Sequence, residues 1–122
     1  MSLIPQDKCY LDEHGIHYDV HEADDCTYLV LKDFAISTVY DQTHVDVLIK
    51  IRKGYPVIPL DMFWIQPAVK LKDTGKYPDQ ADCFEPNLGS NWQRFSRHYE
   101  WSPTFTLANH LLVVKQELIA KE

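Results

Sequence analysis

Hydrophobic and polar residues alternate along several segments in the first half of the chain. The alternation is clearest over 16–21 and 45–52, and the segment 26–36 is rich in β-branched and aromatic residues. Because alternate side chains point to opposite faces of a strand, these segments predict half-buried β-strands. A fourth strand-like run covers 61–69, after prolines that cannot donate to a sheet ladder.

Two further segments carry helix signals. Residues 5–14 begin with Pro5 and are closed by Gly15, which is the usual punctuation of a short helix. Near the other end, Ser102 and Pro103 suit the N-cap and the first helical position. Beyond them, apolar residues recur at spacings of four, three and four and predict one apolar helix stripe: Leu107, Leu111, Val114 and Leu118.

Between the fourth strand and this helix, residues 70–100 show little periodicity and contain two prolines and two glycines. An irregular segment of this length is uncommon in a compact domain and is often functional. The whole pattern predicts one α+β domain over 1–122. Its parts are an N-terminal helix, a four-stranded antiparallel meander, a long loop, and a C-terminal helix packed on the sheet.

Composition and charge narrow the class of protein. The chain has 122 residues, 45 % of them hydrophobic, and no apolar run long enough to predict a membrane helix. Its net charge of −6 divides into −8 over 1–46 and +2 over 47–122. An acidic chain with scattered bases argues against a nucleic acid partner. Three cysteines without a CxxC pair indicate a reducing compartment, which predicts a cytoplasmic protein.

A group of histidines over 14–21, between Cys9 and Cys26, raises the question of a metal site. The spacing lacks the close cysteine pair of common zinc sites, so solvated polar side chains are the favoured interpretation. The sequence also lacks a phosphate-binding loop. We therefore predict no metal and no cofactor.

The order of four motifs resembles the ubiquitin-conjugating enzyme fold, and in particular a branch of small, stand-alone prokaryotic proteins. The motifs are Gly54-Tyr55-Pro56 with Pro59, Glu85-Pro86-Asn87, the run Trp92-Gln93-Arg94-Phe95-Ser96-Arg97-His98, and Trp101-Ser102-Pro103 before the helix. The resemblance implies that the long loop is an active-site loop. It also implies an acyl transfer, in which the protein accepts an activated ubiquitin-like protein from an activating enzyme and passes it to an acceptor. The first helix, in the acidic part of the chain, is implied to contact the activating enzyme.

The chain departs from this family pattern at the catalytic cysteine. Counting along the motifs places that residue at Gln93 or Phe95, and Glu85 replaces the histidine of the family's tripeptide. Ser96 is the nearest hydroxyl, and one hypothesis is that it accepts the carrier as an oxyester. A serine needs a base within hydrogen-bond reach, and His98 shares a face with Ser96 if the segment is extended. The alternative is a structural hydroxyl that binds nearby backbone.

Cys83 is the competing nucleophile. It lies in the irregular segment among acidic residues, so a plain half-buried thiol is the alternative. Arg94 and Arg97 flank Ser96 and either steer the carrier or pair with Glu85 and Glu100.

Two other residues have candidate roles with open alternatives. Asn87 matches the tripeptide asparagine, which the resemblance implies stabilises an oxyanion, although a turn residue after Pro86 is equally consistent. Trp92 is a candidate contact for the carrier or a packing aromatic.

The sequence therefore predicts one function and leaves one alternative open. The first is a transferase that passes a ubiquitin-like protein through Ser96 or Cys83, and the dense polar run before Trp101 favours it. The second is a catalytically inactive module of the same fold that binds a ubiquitin-like protein or the activating enzyme. The missing cysteine and the replacement at Glu85 favour the second.

Overall fold

The computed structural model describes residues 3–23, 26–55, 57–96, 99–102 and 104–119. In these ranges the chain forms helix α1 (Pro5–Glu13), strands β1 (Tyr18–Glu22), β2 (Cys26–Ala35), β3 (His44–Arg52), β4 (Phe63–Gln66), β5 (Cys83–Asn87) and β6 (Ser90–Phe95), and helix α2 (Leu107–Leu118). All neighbouring strands are antiparallel, and the sheet order is β1-β2-β3-β4-β6-β5. The α+β class and both helices are confirmed, but the sheet has six strands rather than the predicted four.

The first four strands are the predicted meander, with shifted ends. β4 is shorter than the predicted run 61–69 because both of its ends leave the strand conformation. Met62 has a positive φ of 57°, and Pro67 directly after the strand cannot donate to a ladder.

A hairpin occupies the second half of the segment that the sequence predicts to be irregular. β5 and β6 are joined by Leu88 and Gly89, which both have positive φ, as a tight two-residue hairpin turn requires. Pro86 is tolerated because β5 is the edge strand and pairs only with β6. Among the described residues of 70–100, the irregular part is therefore limited to 70–82, Ser96 and 99–100.

The predicted start of the C-terminal helix is wrong. α2 begins at Leu107, with Thr106 as its N-cap, and the Thr106 N–H donates to Asn109 Oδ1 at 2.9 Å. Ser102 instead makes a local turn, in which its hydroxyl accepts the Thr104 N–H at 3.3 Å. Pro103 lies outside the described residues. The predicted apolar stripe is confirmed, since all four of its members are fully buried.

The main core lies between the helices and one face of the sheet, which we call the helical face. It combines the buried leucines of α1 and α2 with alternate residues of β2, β3, β4 and β6. A hydrogen-bonded link fixes α1 against α2: the Tyr55 hydroxyl donates to Asp7 Oδ2 and accepts the Leu107 N–H, both at 2.6 Å. Burial raises the pKa of the Asp7 carboxyl, although these bonds oppose the shift.

The other side of the sheet, which we call the open face, carries a second and smaller apolar cluster. Its buried members are Val30, Leu48, Trp64 and Trp92, with Tyr28 and Met62 packed beside them. None of these residues belongs to a helix. No helix in the described ranges is long and apolar enough to cross a membrane.

Candidate functional site

A chain of four side chains crosses the open face from β3 to β5, and we call it the open-face network. Arg94 Nη1 lies 3.0 Å from Glu85 Oε2, and Trp64 Nε1–H donates to Glu85 Oε1 at 2.7 Å. The Lys50 ammonium then lies over the Trp64 ring, 4.3 Å from its centroid. Since each partner comes from a different strand, the pairing of the sheet holds the network in place.

A cavity of about 310 Å³ opens beside this network, and we call it the open-face cavity. Its lining combines apolar and charged side chains: Lys50, Arg52, Ile58, Pro59, Asp61, Met62, Trp64 and Glu85. Among the described residues, no carboxylate pairs with Lys50 or Arg52, whereas Glu85 is already held by Arg94 and Trp64. The cavity therefore presents two cations, two carboxylates and an apolar wall to a ligand.

Met62 connects the open-face cavity to the helical face. Its carbonyl accepts a hydrogen bond from His110 Nε2 at 2.9 Å, and His110 Nδ1 accepts the Tyr99 hydroxyl at 2.7 Å. Burial lowers the pKa of His110 to about 4 and raises the pKa of Tyr99 to about 12. Neutral His110 thus holds the positive-φ backbone at Met62.

Sequence reasoning missed His110 and Tyr99. The available signal was a polar residue on the apolar stripe of α2, since His110 lies one position before Leu111 and is equally buried. A buried histidine in such a stripe needs polar partners, and the partner contributed by Met62 comes from a distant loop.

Ser96 lies half-buried just beyond the end of β6. Its N–H donates to the Gln80 carbonyl at 3.0 Å, and its hydroxyl lies 3.7 Å from Met62 Sδ. The structure thereby brings Ser96 next to the open-face cavity through Met62. His98 and Arg97 lie outside the described residues, so the pairing of Ser96 with His98 stays a prediction.

The positions at which counting places a catalytic cysteine hold side chains with structural contacts. Gln93 is fully buried, and its side-chain amide bonds the backbone of Val69 and Ala81 at 2.7–3.1 Å. Arg94 pairs with Glu85, as one of the alternatives for the arginines predicted, and its buried Nε has no partner in the described part of the chain. Phe95 stacks on Phe63 in the core, with ring centroids 4.9 Å apart.

The remaining candidates lie on the β5–β6 hairpin. Cys83 is exposed, rather than half-buried, opposite Arg94, and its Sγ is 3.9 Å from Asp82 Oδ1. Asn87 is buried, and its carbonyl accepts the Trp92 Nε1–H at 2.9 Å. Asn87 and Trp92 are therefore bonded to each other within the hairpin. This contact is consistent with the turn alternative for Asn87 and the packing alternative for Trp92.

The histidines over 14–21, Cys9 and Cys26 do not form a metal-binding group. Within the described residues, no group of three or more His, Cys, Asp or Glu side chains could hold a metal ion. The three cysteines are free.

Comparison with known proteins agrees with the family resemblance of the sequence motifs. A family model described as Prokaryotic E2 family E matches residues 3–121. This match confirms the resemblance to a prokaryotic ubiquitin-conjugating-enzyme-like family over nearly the whole chain. Comparisons with curated proteins and with solved structures give no significant match.

Proposed function

We propose, from the premise that this chain belongs to prokaryotic E2 family E, that it binds a ubiquitin-like protein without forming a covalent bond to it. Membership of an E2-like family implies interaction with ubiquitin-like proteins and activating enzymes in general. The proposal concerns what this chain does with such a partner: it holds the partner and does not carry it as an ester.

The observation that carries the proposal is that the side chains at positions 93–95 all make structural contacts. A transferase needs a nucleophile there, held open to an incoming carbonyl carbon. In this chain Gln93 supports the backbone of the preceding segment, Arg94 neutralises Glu85, and Phe95 fills the core. Each side chain has a structural contact, and none is a nucleophile.

Glu85 supports the same proposal. It replaces the histidine of the family's tripeptide, and both of its carboxylate oxygens are occupied, one by Trp64 and one by Arg94. A carboxylate held in this way stabilises the surface of the sheet. A carboxylate also has no N–H to donate to an oxyanion, whereas acyl transfer requires such a donor.

The test mixes the full chain with the ubiquitin-like protein, its activating enzyme and ATP. We expect a complex by analytical ultracentrifugation that dissociates in denaturant, and no mass increase of the chain by intact mass spectrometry. A covalent adduct equal in mass to the chain plus the carrier less one water would contradict the proposal. The same binding measured at rising salt checks whether the acidic part of the chain contacts the activating enzyme, since exposed charges are screened.

Ser96 supports a second candidate function, transfer through an oxyester. Its hydroxyl is half-buried, lies one residue past the counted positions and reaches Met62 beside the open-face cavity. In this reaction Ser96 Oγ bonds to the carbonyl carbon of the carrier's activated C-terminus, the bond to the leaving group of the activating enzyme breaks, and the hydroxyl proton passes to a base.

The two nucleophile candidates give different chemistry in the same assay. A serine ester resists thiol reagents and is cleaved by hydroxide, whereas a Cys83 thioester is cleaved by thiols. Ser96→Ala abolishes the first adduct and Cys83→Ala the second, while Ser90→Ala at the hairpin turn serves as the matched control. Absence of any adduct in the unmodified chain leaves noncovalent binding as the function.

The free cysteines agree with a location in the cytoplasm. Cys9 and Cys83 are exposed and unpaired with each other, as expected of thiols in a reducing compartment. This location remains part of the proposal.

A further inference from the structure

We propose that the open-face cavity binds an acidic segment of a partner protein, with one carboxylate at Lys50 and Arg52 and an adjacent apolar side chain on Ile58 and Pro59. This inference goes beyond the proposed function, because it assigns a binding site and the chemistry of its ligand. The assignment is the same whichever protein supplies the segment. It rests on the cations, the acids and the apolar rim of the cavity.

The cations are available and one of them is held in place. Lys50 Nζ is fixed over the Trp64 ring at 4.3 Å, and Trp64 is fixed in turn by its bond to Glu85. Arg52 is the last residue of the same strand, β3, and is exposed where it lines the cavity. Neither cation pairs with a carboxylate in the described part of the chain. A ligand carboxylate therefore meets positive charge without displacing an internal ion pair, and little ordering is needed.

The acidic side chains that line the cavity limit the negative charge of the ligand that it can bind. Glu85 is engaged by Arg94 and Trp64, so it does not neutralise Lys50. Asp61 also lines the cavity. Two carboxylates near the ligand repel a dianion more strongly than a monoanion. The balance favours a singly charged carboxylate over a phosphate group.

The rim indicates a ligand larger than a small acid. Ile58 is 41 % exposed at the cavity, and the preceding Val57 is 69 % exposed. Ile58 and Pro59 line the cavity, so an exposed apolar surface borders it. A free carboxylic acid leaves this surface uncovered, whereas a protein segment with an apolar residue beside its acidic one covers it.

The experiment uses two blocked peptides that differ only in charge, N-acetyl-Leu-Glu-Leu-amide and N-acetyl-Leu-Gln-Leu-amide, titrated into the full chain and followed by ¹H–¹⁵N NMR. We expect the Glu peptide to shift the Trp64 indole N–H and the backbone amides of 57, 58 and 60–62, and the Gln peptide to leave them. Lys50→Met and Arg52→Met each weaken binding of the Glu peptide by about threefold to fivefold, as loss of one exposed charge pair does.

Controls and opposing outcomes are built into the same titration. Lys53→Met removes the same charge from the neighbouring position, which does not line the cavity, and leaves binding unchanged. Equal shifts with the Gln peptide, shifts confined to other regions, or displacement of the Glu peptide by inorganic phosphate at lower concentration than by acetate would each overturn the inference. Because neither carrier nor activating enzyme is present, the result is separate from that of the proposed function.

Discussion

The two faces of the sheet exclude water by different means. On the helical face, α1 and α2 cover the strands, and the core beneath them consists of fully buried side chains such as Leu29, Ile65 and Phe95. On the open face, Trp64 is only 4 % exposed although the cluster around it contains no helix residue. There the cover includes Lys50, whose long side chain crosses the ring.

This difference has a consequence for function. Apolar packing against a helix leaves no polar group available to a partner. Packing beneath hydrogen-bonded polar chains, in contrast, leaves fixed charges at the surface, next to aromatic area. The open face therefore offers preorganised binding groups, whereas the helical face provides the stability that supports them.

Met62 belongs to both faces. Its side chain lines the open-face cavity, and its carbonyl is held by His110 of α2. His110 of the helical face and the open-face cavity are therefore joined through Met62 in the β3–β4 connection.

The largest expected effect tests whether stability resides in the helical face. Phe95→Ala removes a fully buried ring stacked on Phe63 and lowers the free energy of unfolding by about 3–5 kcal/mol. The matched control is Phe84→Ala on the edge strand, where the side chain is 42 % exposed, and its expected cost is below about 1 kcal/mol. Urea unfolding measures both, and equal costs would contradict the assignment of the stability to the buried core beneath the helices.

An intermediate effect tests the link through His110. Its pKa is about 4 when folded and 6.5 in its ordinary state, so between these values the unfolded chain binds more protons. Stability is therefore full above about pH 6.5 and falls by about 3 kcal/mol as the pH is lowered through the folded pKa. The raised pKa of Asp7 acts with the opposite sign, because its charged form is disfavoured by burial.

The His110→Gln variant separates these contributions, since Asp7 is present in both proteins. We expect the variant to show a smaller loss of unfolding free energy between pH 7 and pH 4.5 than the unmodified chain. His17→Gln is the control, because His17 is exposed and lies just before β1. We expect this variant to lose as much unfolding free energy between pH 7 and pH 4.5 as the unmodified chain. An unchanged loss in His110→Gln contradicts the assignment of a buried neutral imidazole.

The smallest expected effect on stability sharpens the description of the open face. The Arg94–Glu85 pair has side chains 29 % and 36 % exposed, so Arg94→Met changes the free energy of unfolding by at most about 1 kcal/mol. The same change shifts the NMR signal of the Trp64 indole N–H, because its acceptor Glu85 loses a cation. Lys32→Met, which breaks the ion pair with Asp46 elsewhere, leaves that signal in place.

Several parts of the fold follow from local pattern. Alternation over 45–52 predicts β3 closely, since a half-buried strand must alternate, and the apolar stripe predicts the buried side of α2. The start of α2 was predicted wrongly because both Ser102 and Thr106 suit an N-cap. Only the contact of Thr106 with Asn109 distinguishes them.

Local sequence patterns predict less of the candidate site than of the fold. Sequence reasoning identified Ser96, Cys83 and Arg94 as chemically notable, and the structure places each of them on or beside the β5–β6 hairpin. It did not identify Lys50, Trp64 or His110, because each looks like an ordinary member of a strand or helix. Their importance depends on a partner that is remote in the chain.

The sequence by itself determined the first four strands and the two helices, which side of each is apolar, the acidic character of the first part, and the family. The tertiary structure alone decided that β6 pairs with β4, that Glu85 meets both Trp64 and Arg94, and that Lys50 and Arg52 share a cavity. The reason is physical. A period of two fixes the face on which a side chain lies, but the partner strand and its register are set by contacts between segments that are distant along the chain.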